Sequence, residues 1–269
     1  MNRNVFDKTV LERWRPTLVY VVGLHAYMLM LTAVYPTFRR MLETKAELFK
    51  DYPKALLQLF GVQSIDTASF SNYITIELLG FVWVIIIAAY VIAFARQMVA
   101  GEVHDGTLEL LMAQPVARWK LLTSEGLALL GGIAVLVVST VFGIIAYGAI
   151  FASGTGLNYS GCAAFIPVGI SLAAAVAGYS VLFSVLFNDP RRAVMASVGL
   201  TLFFYLLHFA ASYSGVLEKI DWFGIFHYYN PLKVLDSGRV PVKSVLVLLA
   251  FAAVGFGASV WFFQRKDLK

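Results

Sequence analysis

Charge is what this sequence has least of. Asp, Glu, Lys and Arg together make up 14 % of its 269 residues, where a soluble domain carries about a quarter. Cysteine is nearly absent as well. The single Cys162 excludes an internal disulfide and a multi-cysteine metal site, and reads as a small apolar residue near a helix end. No G-x-x-x-x-G-K-[ST] stretch is present, so the chain cannot bind ATP as a P-loop protein does. H-E-x-x-H, G-x-S-x-G and paired carboxylates within an apolar run are missing too. No cofactor, metal or catalytic residue is therefore assigned to the chain.

What the chain has instead is 59 % hydrophobic residues, gathered into six long runs: 17–35, 73–95, 126–151, 163–187, 193–211 and 244–263. About 20 apolar residues cross a bilayer core as a helix, and lipid leaves backbone groups no partner outside a helix or closed barrel. Barrel strands would be half as long and would alternate, so the pattern predicts an all-α membrane protein of six transmembrane helices, organised as one transmembrane domain over 1–269. The first run is too long for the apolar region of a signal peptide and lacks a small-residue cleavage site, so it is expected to remain in the mature chain.

The interiors of these runs are almost free of ionisable groups, which usually mark ion or proton pathways in a membrane. Glu77 falls near one end of the second run and Arg96 at the other. His25 and His208 lie well inside apolar helices, where hydrogen bonding between helices is the ordinary role. Nothing here couples transport to a proton or sodium gradient, which disfavours a secondary transporter.

Six spans put both termini on one side. The segments on that side (1–16, 96–125, 188–192 and 264–269) carry twelve of the 21 Lys and Arg residues, nearly twice the density of the segments opposite. That side is predicted to be cytoplasmic. The net charge of +5 follows from topology and attraction to anionic lipid, and calls for no nucleic-acid partner.

Residues 1–16 place Phe6, Val10 and Trp14 at i, i+4, i+8, an amphipathic helix suited to the cytoplasmic interface, with Pro16 turning the chain into the first span. The large external loop, 36–72, shows Phe38, Met41, Leu42, Leu48 and Phe49 on one helical face, and Pro53 opens the short element KALLQLFG. It reads as two interfacial helices or as a lid over an outward exit. Around Trp222, Phe223, Phe226, Tyr228 and Tyr229 the aromatic density fits an interfacial or re-entrant helical turn. Gly131, Gly132, Gly169, Gly178, Gly255 and Gly257 are candidates for close helix approach.

One polar island interrupts the apolar chain: GEVHDGTLELLMAQPVARWK, residues 101–120. Asp105 or Thr107 can cap a helix there, Glu109 suits its positive end, and Pro115 disfavours helix at Gln114. Leu108, Leu111 and Met112 form one stripe, while Leu110 points the other way. Two apolar faces fit one surface toward the spans and another toward a separate protein.

Glu102, Gly106, Thr107, Leu108, Glu109, Leu111, Pro115 and Arg118 match the E-x-x-x-G-T-L-E-x-L-x-x-x-P-x-x-R signature of permease subunits of type-two, exporter-like ABC transporters. The chain resembles that family throughout, including the amphipathic N-terminal helix, the YP-x-AL-x-x-LFG element of the first external loop and the basic tail FFQRKDL. It departs at Ala117, where the family favours Ser or Thr. The resemblance implies that region 100–120 holds a coupling helix, with Leu110 beside the matched residues, docking on a cytoplasmic ATPase subunit. It implies two ATPase chains, which hold ATP and Mg, and a second permease, identical or similar, around a conduit at their interface. It further implies the cytoplasmic membrane of a prokaryote and outward movement of a lipid, peptide, drug or other amphiphile. Copper-site maturation permeases, to which the chain is similar, add an extracytoplasmic partner. A membrane receptor or scaffold that recruits a cytoplasmic protein without transport is the alternative of a different class.

Overall fold

A computed structural model of the protein describes residues 3–49, 69–106, 117–153, 157–212 and 215–266; the side chains of 3, 4 and 42–49 are outside that description. The described residues are helical, with no strand among them. In order they form α1 (Arg3–Phe49), α2 (Phe70–Ile74), α3 (Val82–Arg96), α4 (Glu102–His104), α5 (Arg118–Phe151), α6 (Tyr159–Leu186), α7 (Pro190–Ala211), α8 (Gly215–Asp221), α9 (Pro231–Ser237) and α10 (Val242–Arg265). A π-helical turn, Thr75–Leu79, follows α2; a second, Gln97–Gly101, joins α3 to α4; and a 3₁₀ turn, Ile225–Tyr228, precedes α9. Six helical stretches among the described residues are long and apolar enough to cross a membrane: α1, α3 continued through the π-turn and α4 (Val82–His104), α5, α6, α7 and α10.

The middle of α6 explains the architecture. Residues 171–180, SLAAAVAGYS, are buried on every side, as expected of a helix without a polar face. Small side chains here let α6 touch α3, α5, α7 and α10, while its first turn meets α9 at Gly161 and Leu235. Its crossing with α10 brings backbone against backbone. A Cβ added to Gly255 would lie 2.6 Å from the backbone carbon of Gly178, and one on Gly178 would lie 2.8 Å from the Ala252 carbonyl oxygen. Gly132 faces the Tyr90 hydroxyl, and a Cβ on Gly169 would lie 3.0–3.3 Å from Val137, Trp83 and Phe165. Gly131 and Gly257, in contrast, meet nothing within 4 Å. The glycine content of an apolar helix does not say which face each glycine takes.

Lipid offers helices little hydrophobic reason to associate, so packing and interhelical hydrogen bonds carry the assembly. Trp83 Nε1 of α3 donates to Thr140 Oγ1 of α5 at 2.9 Å, with the indole stacked on Tyr229 and edge-on to Phe165. Tyr229 is buried and its hydroxyl donates to the Leu79 carbonyl at 2.9 Å; burial holds the phenol well above its ordinary pKa. His25 joins α1 to α5 through Tyr147 (2.9 Å) and Ser139 (2.7 Å). His208 shares the buried carboxylate of Asp221 with His227, at 3.1 and 2.7 Å. His25 and His208 thus each have a structural partner.

The N-terminal amphipathic segment and the first span are one helix. α1 runs without interruption through Pro16 and Pro36, where Pro16 alone suggests a turn. At 47 residues it is about 70 Å long, more than twice the ~30 Å of a hydrocarbon core. Packing along α5 supports the helix where proline removes a ladder bond, and beside the first proline the Thr17 hydroxyl donates to the Arg13 carbonyl at 2.8 Å. Residues 37–49, expected as part of a separate interfacial pair, continue α1, with Phe38 against Tyr73. Pro53 and the KALLQLFG element lie outside the described residues.

Gly178→Val is expected to force α6 and α10 apart and cost about 1–3 kcal/mol as an overpacking change, read as a lowered unfolding temperature in detergent. Gly257→Ala should stay within about 0.5 kcal/mol of the parent chain.

Candidate coupling region and membrane groove

Both roots of the polar island are built by residues from elsewhere in the bundle. At the first root, the end of α3 widens into the π-turn Gln97–Gly101. The cause is a hydroxyl from α6: Ser184 Oγ donates to the Arg96 carbonyl (3.3 Å) and accepts from the Val99 and Ala100 N–H groups (3.3 and 3.1 Å). A side chain inserted into the i→i−4 ladder produces this distortion. The chain then ends its helix at Gly106, whose φ of +70° is a left-handed conformation that favours glycine. Its N–H bonds the Val103 carbonyl at 3.2 Å. Asp105 accepts from Gln97 Nε2 at 3.2 Å.

At the second root, Ala117 is extended and caps α5 without a side-chain hydrogen bond. Arg118 follows at the first helical position. A cation at a helix N-terminus opposes the dipole, but Arg118 serves a different helix. Its guanidinium donates to the Phe263 and Lys266 carbonyls at 3.4 and 2.6 Å, satisfying end groups that α10 cannot pair itself. Lys266 Nζ in turn donates to the Val185 carbonyl of α6 at 2.6 Å, and burial pulls its pKa below the usual lysine value. The start of α5 and the ends of α6 and α10 are thus tied together.

Between the two roots lies a crevice of about 30 Å³ lined by Lys8, Glu12, Arg13, Gln97, Glu102 and Glu125, among others. Glu125 is only 8 % exposed, and its Oε2 has no hydrogen-bond partner. Lys8 pairs with Glu12 at 3.6 Å, and Arg13 lies over the Phe94 ring at 5.2 Å. Among the described residues no His, Cys, Asp and Glu group could hold a metal ion.

Of the residues expected at the docking site, Glu102, Gly106 and Arg118 are therefore placed at the roots. Thr107, Leu108, Glu109, Leu110, Leu111 and Pro115, with Met112 of the apolar stripe, lie outside the described residues. Reasoning from sequence missed Ser184, Glu125 and Lys266. A signal existed for Glu125, which stands seven residues after Arg118 and so on the same side of α5. Ser184 carried none, because a serine in an apolar helix looks the same whether it bonds its own helix or another.

A second feature lies along the bundle wall. α3 and α7 diverge around a groove of about 530 Å³ running from Phe81 and Tyr205 at one end to Arg13, Arg96 and Gln97 at the other, with Ile85, Ala89, Val194, Val198 and Leu202 along it.

A family model described as ABC-2 family transporter protein matches residues 4–268. The chain belongs to that family. No curated protein matches it. As an ABC-2 chain with six apolar helices of spanning length, it is a multi-pass membrane permease of an ABC transporter, a class that works with an ABC ATPase and as a membrane dimer. In this ABC-2 permease the signature's glycine and arginine have separate physical uses: a left-handed cap and a tie to another helix.

Arg118→Ala is expected to remove two bonds made by a charged donor, costing about 1.5–3 kcal/mol each at most and lowering the unfolding temperature of the purified permease. Ala117→Ser supplies the absent cap and should raise stability by about 0.5–2 kcal/mol in the same measurement.

Proposed function

We propose that this permease takes its energy from a cytoplasmic ABC ATPase docked on residues 102–118, and uses it to export an amphiphile through a conduit formed with a second permease. Two ATPase chains would hold the ATP and Mg. The terminal end of the bundle is cytoplasmic in this reading, in a prokaryotic cytoplasmic membrane, as the distribution of Lys and Arg favours.

The observation that carries the reading is the anchoring of the two roots. A rigid push on 107–116 reaches α3 and α6 through the Ser184 hydroxyl, and α5, α6 and α10 through Arg118 and Lys266. A loop that only recruited a partner would need no such ties to four spanning helices. The chain has no P-loop, so in this reading motion delivered at this segment supplies the energy.

Purification in mild detergent should retain an ATPase that carries a P-loop, and Glu109→Arg should cut coupled ATP hydrolysis or assembly at least tenfold while membrane insertion stays normal. Persistent absence of any ATPase from the purified chain contradicts the permease reading. Full coupling in the Glu109→Arg variant removes the docking segment from it.

A further inference from the structure

We infer that a different groove, between α5 and α10, holds an acyl chain of a phospholipid whose anionic headgroup sits at Lys120, and that this lipid braces the two helices as a resident part of the structure. The inference takes from the permease reading only the leaflet to which the lipid belongs, the cytoplasmic one. Its observations are separate.

The groove follows from how α6 packs. α10 lies against α6 where Gly178 meets Gly255, and this leaves about 390 Å³ between α10 and α5. Ala174, Ala177 and Gly178 of α6 form the floor, with side chains too short to fill the space above them. The rims are Leu127 and Leu130 on one side and Leu249 and Ala253 on the other; all four are exposed, so the groove opens sideways, toward the bilayer. Thr123 is the polar residue that lines it, and its hydroxyl is engaged with the Trp119 and Lys120 carbonyls at 2.8 and 3.1 Å. Water therefore finds no partner there. A dry apolar cavity of about 150 Å³, less than half this size, takes up benzene, and within a bilayer the apolar molecule that surrounds the protein is a lipid chain.

A cation stands where the headgroup of such a lipid would be. From Thr123 to Leu130 the wall of α5 rises about 10 Å, and Lys120 lies one turn before Thr123. At 3.6 residues per turn Lys120 is about 20° from Leu127 around the helix, on the side that forms the rim. It is exposed, its ammonium lies 5.6 Å from the centre of the Trp119 ring, and no carboxylate among the described residues pairs with it. Tryptophan favours the headgroup level. The neighbouring cations Arg118 and Lys266 are engaged with carbonyls of α10 and α6, which leaves Lys120 for a phosphate. A chain in the groove touches α5, α6 and α10 together, and the ties of Arg118 and Lys266 join the same three helices. The lipid and those ties thus hold one joint, from its apolar and its polar side.

The test places the full-length chain in phosphatidylcholine nanodiscs containing a small fraction of phosphatidylglycerol with a photoreactive tail, or phosphatidylcholine with the same tail. The phosphatidylglycerol probe should label the peptides containing 123–130 and 249–256 about fivefold more strongly, the preference that one lysine at the membrane surface gives. Lys120→Gln should bring the two probes level without reducing labelling by phosphatidylcholine. Ala253→Trp fills the groove from its exposed rim and should suppress both probes, whereas Val254→Trp, at a residue 73 % exposed and outside the groove, should not. Stripped of lipid in detergent, the parent chain should unfold about 2–4 °C lower and recover with phosphatidylglycerol; Ala253→Trp should unfold at the same temperature with and without lipid. Equal labelling by the two probes, or a preference that survives Lys120→Gln, overturns the inference. So does suppression by Val254→Trp as strong as by Ala253→Trp, or an equal recovery of both chains with lipid. Disulfide formation between two copies of Leu127→Cys also overturns it, because a second chain then lies on the groove. Labelling that vanishes when ATP is trapped in the ATPase-bound complex marks a transported lipid and removes the role as a brace. Labelling and unfolding need no ATPase, so their failure beside a co-purifying ATPase defeats this inference alone, and their success in a chain that never binds one defeats only the permease reading.

Discussion

Backbone contact between α6 and α10 is the constraint on which the rest of the molecule depends. Where Gly178 meets Gly255, no side chain separates the two helices, and the attraction is that of closely packed atoms rather than displaced water. The small residues that permit it, Ala173 to Gly178, also permit α6 to sit at the centre of the bundle with α3, α5, α7 and α10 around it. From that central position α6 offers Ser184 to the end of α3 and the Val185 carbonyl to Lys266. The polar ties at the terminal end are consequences of how closely the apolar middle packs.

Those ties have a physical logic beyond stability. A helix terminus leaves carbonyls and N–H groups without partners, and this protein satisfies several of them with side chains from other helices. Ser184 accepts N–H groups in the widened turn after α3, and Arg118 accepts the burden of the end of α10. A segment anchored in this way cannot move independently of the bundle. In the proposed function, that mechanical continuity is what would carry energy from a docked ATPase to the spanning helices. Arg13 extends the same continuity to the groove, since it borders both the wall of α3 and the carboxylates beside the coupling roots.

Much of this was legible from residue order. Six apolar runs gave six helices of spanning length, because lipid leaves the backbone little choice. The signature's Gly106 and Arg118 were visible as positions, and Ala117, where the family favours Ser or Thr, precedes α5 without a side-chain cap. What sequence could not show were effects of distant partners. Pro16 looks like a turn until α5 is placed alongside α1, and residues 37–49 look separate until the helix is seen to continue. The π-turn after α3 depends on a hydroxyl more than 80 residues away in the chain. Gly131 and Gly257 read like Gly178 and Gly255 because both faces of a membrane helix are apolar, one toward lipid and one toward protein.

In the proposed function, motion at 102–118 passes to the spanning helices through the ties made by Ser184 and Arg118. The most direct measurement is the distance between spin labels at Ala93 and Val198, across the groove, in the ATPase-bound transporter with and without trapped ATP. The distance should change on trapping in the parent chain, and Ser184→Ala with Arg118→Ala should abolish the change while ATP hydrolysis continues. An unchanged distance in the parent chain during hydrolysis, or an undiminished change in the double variant, would contradict it.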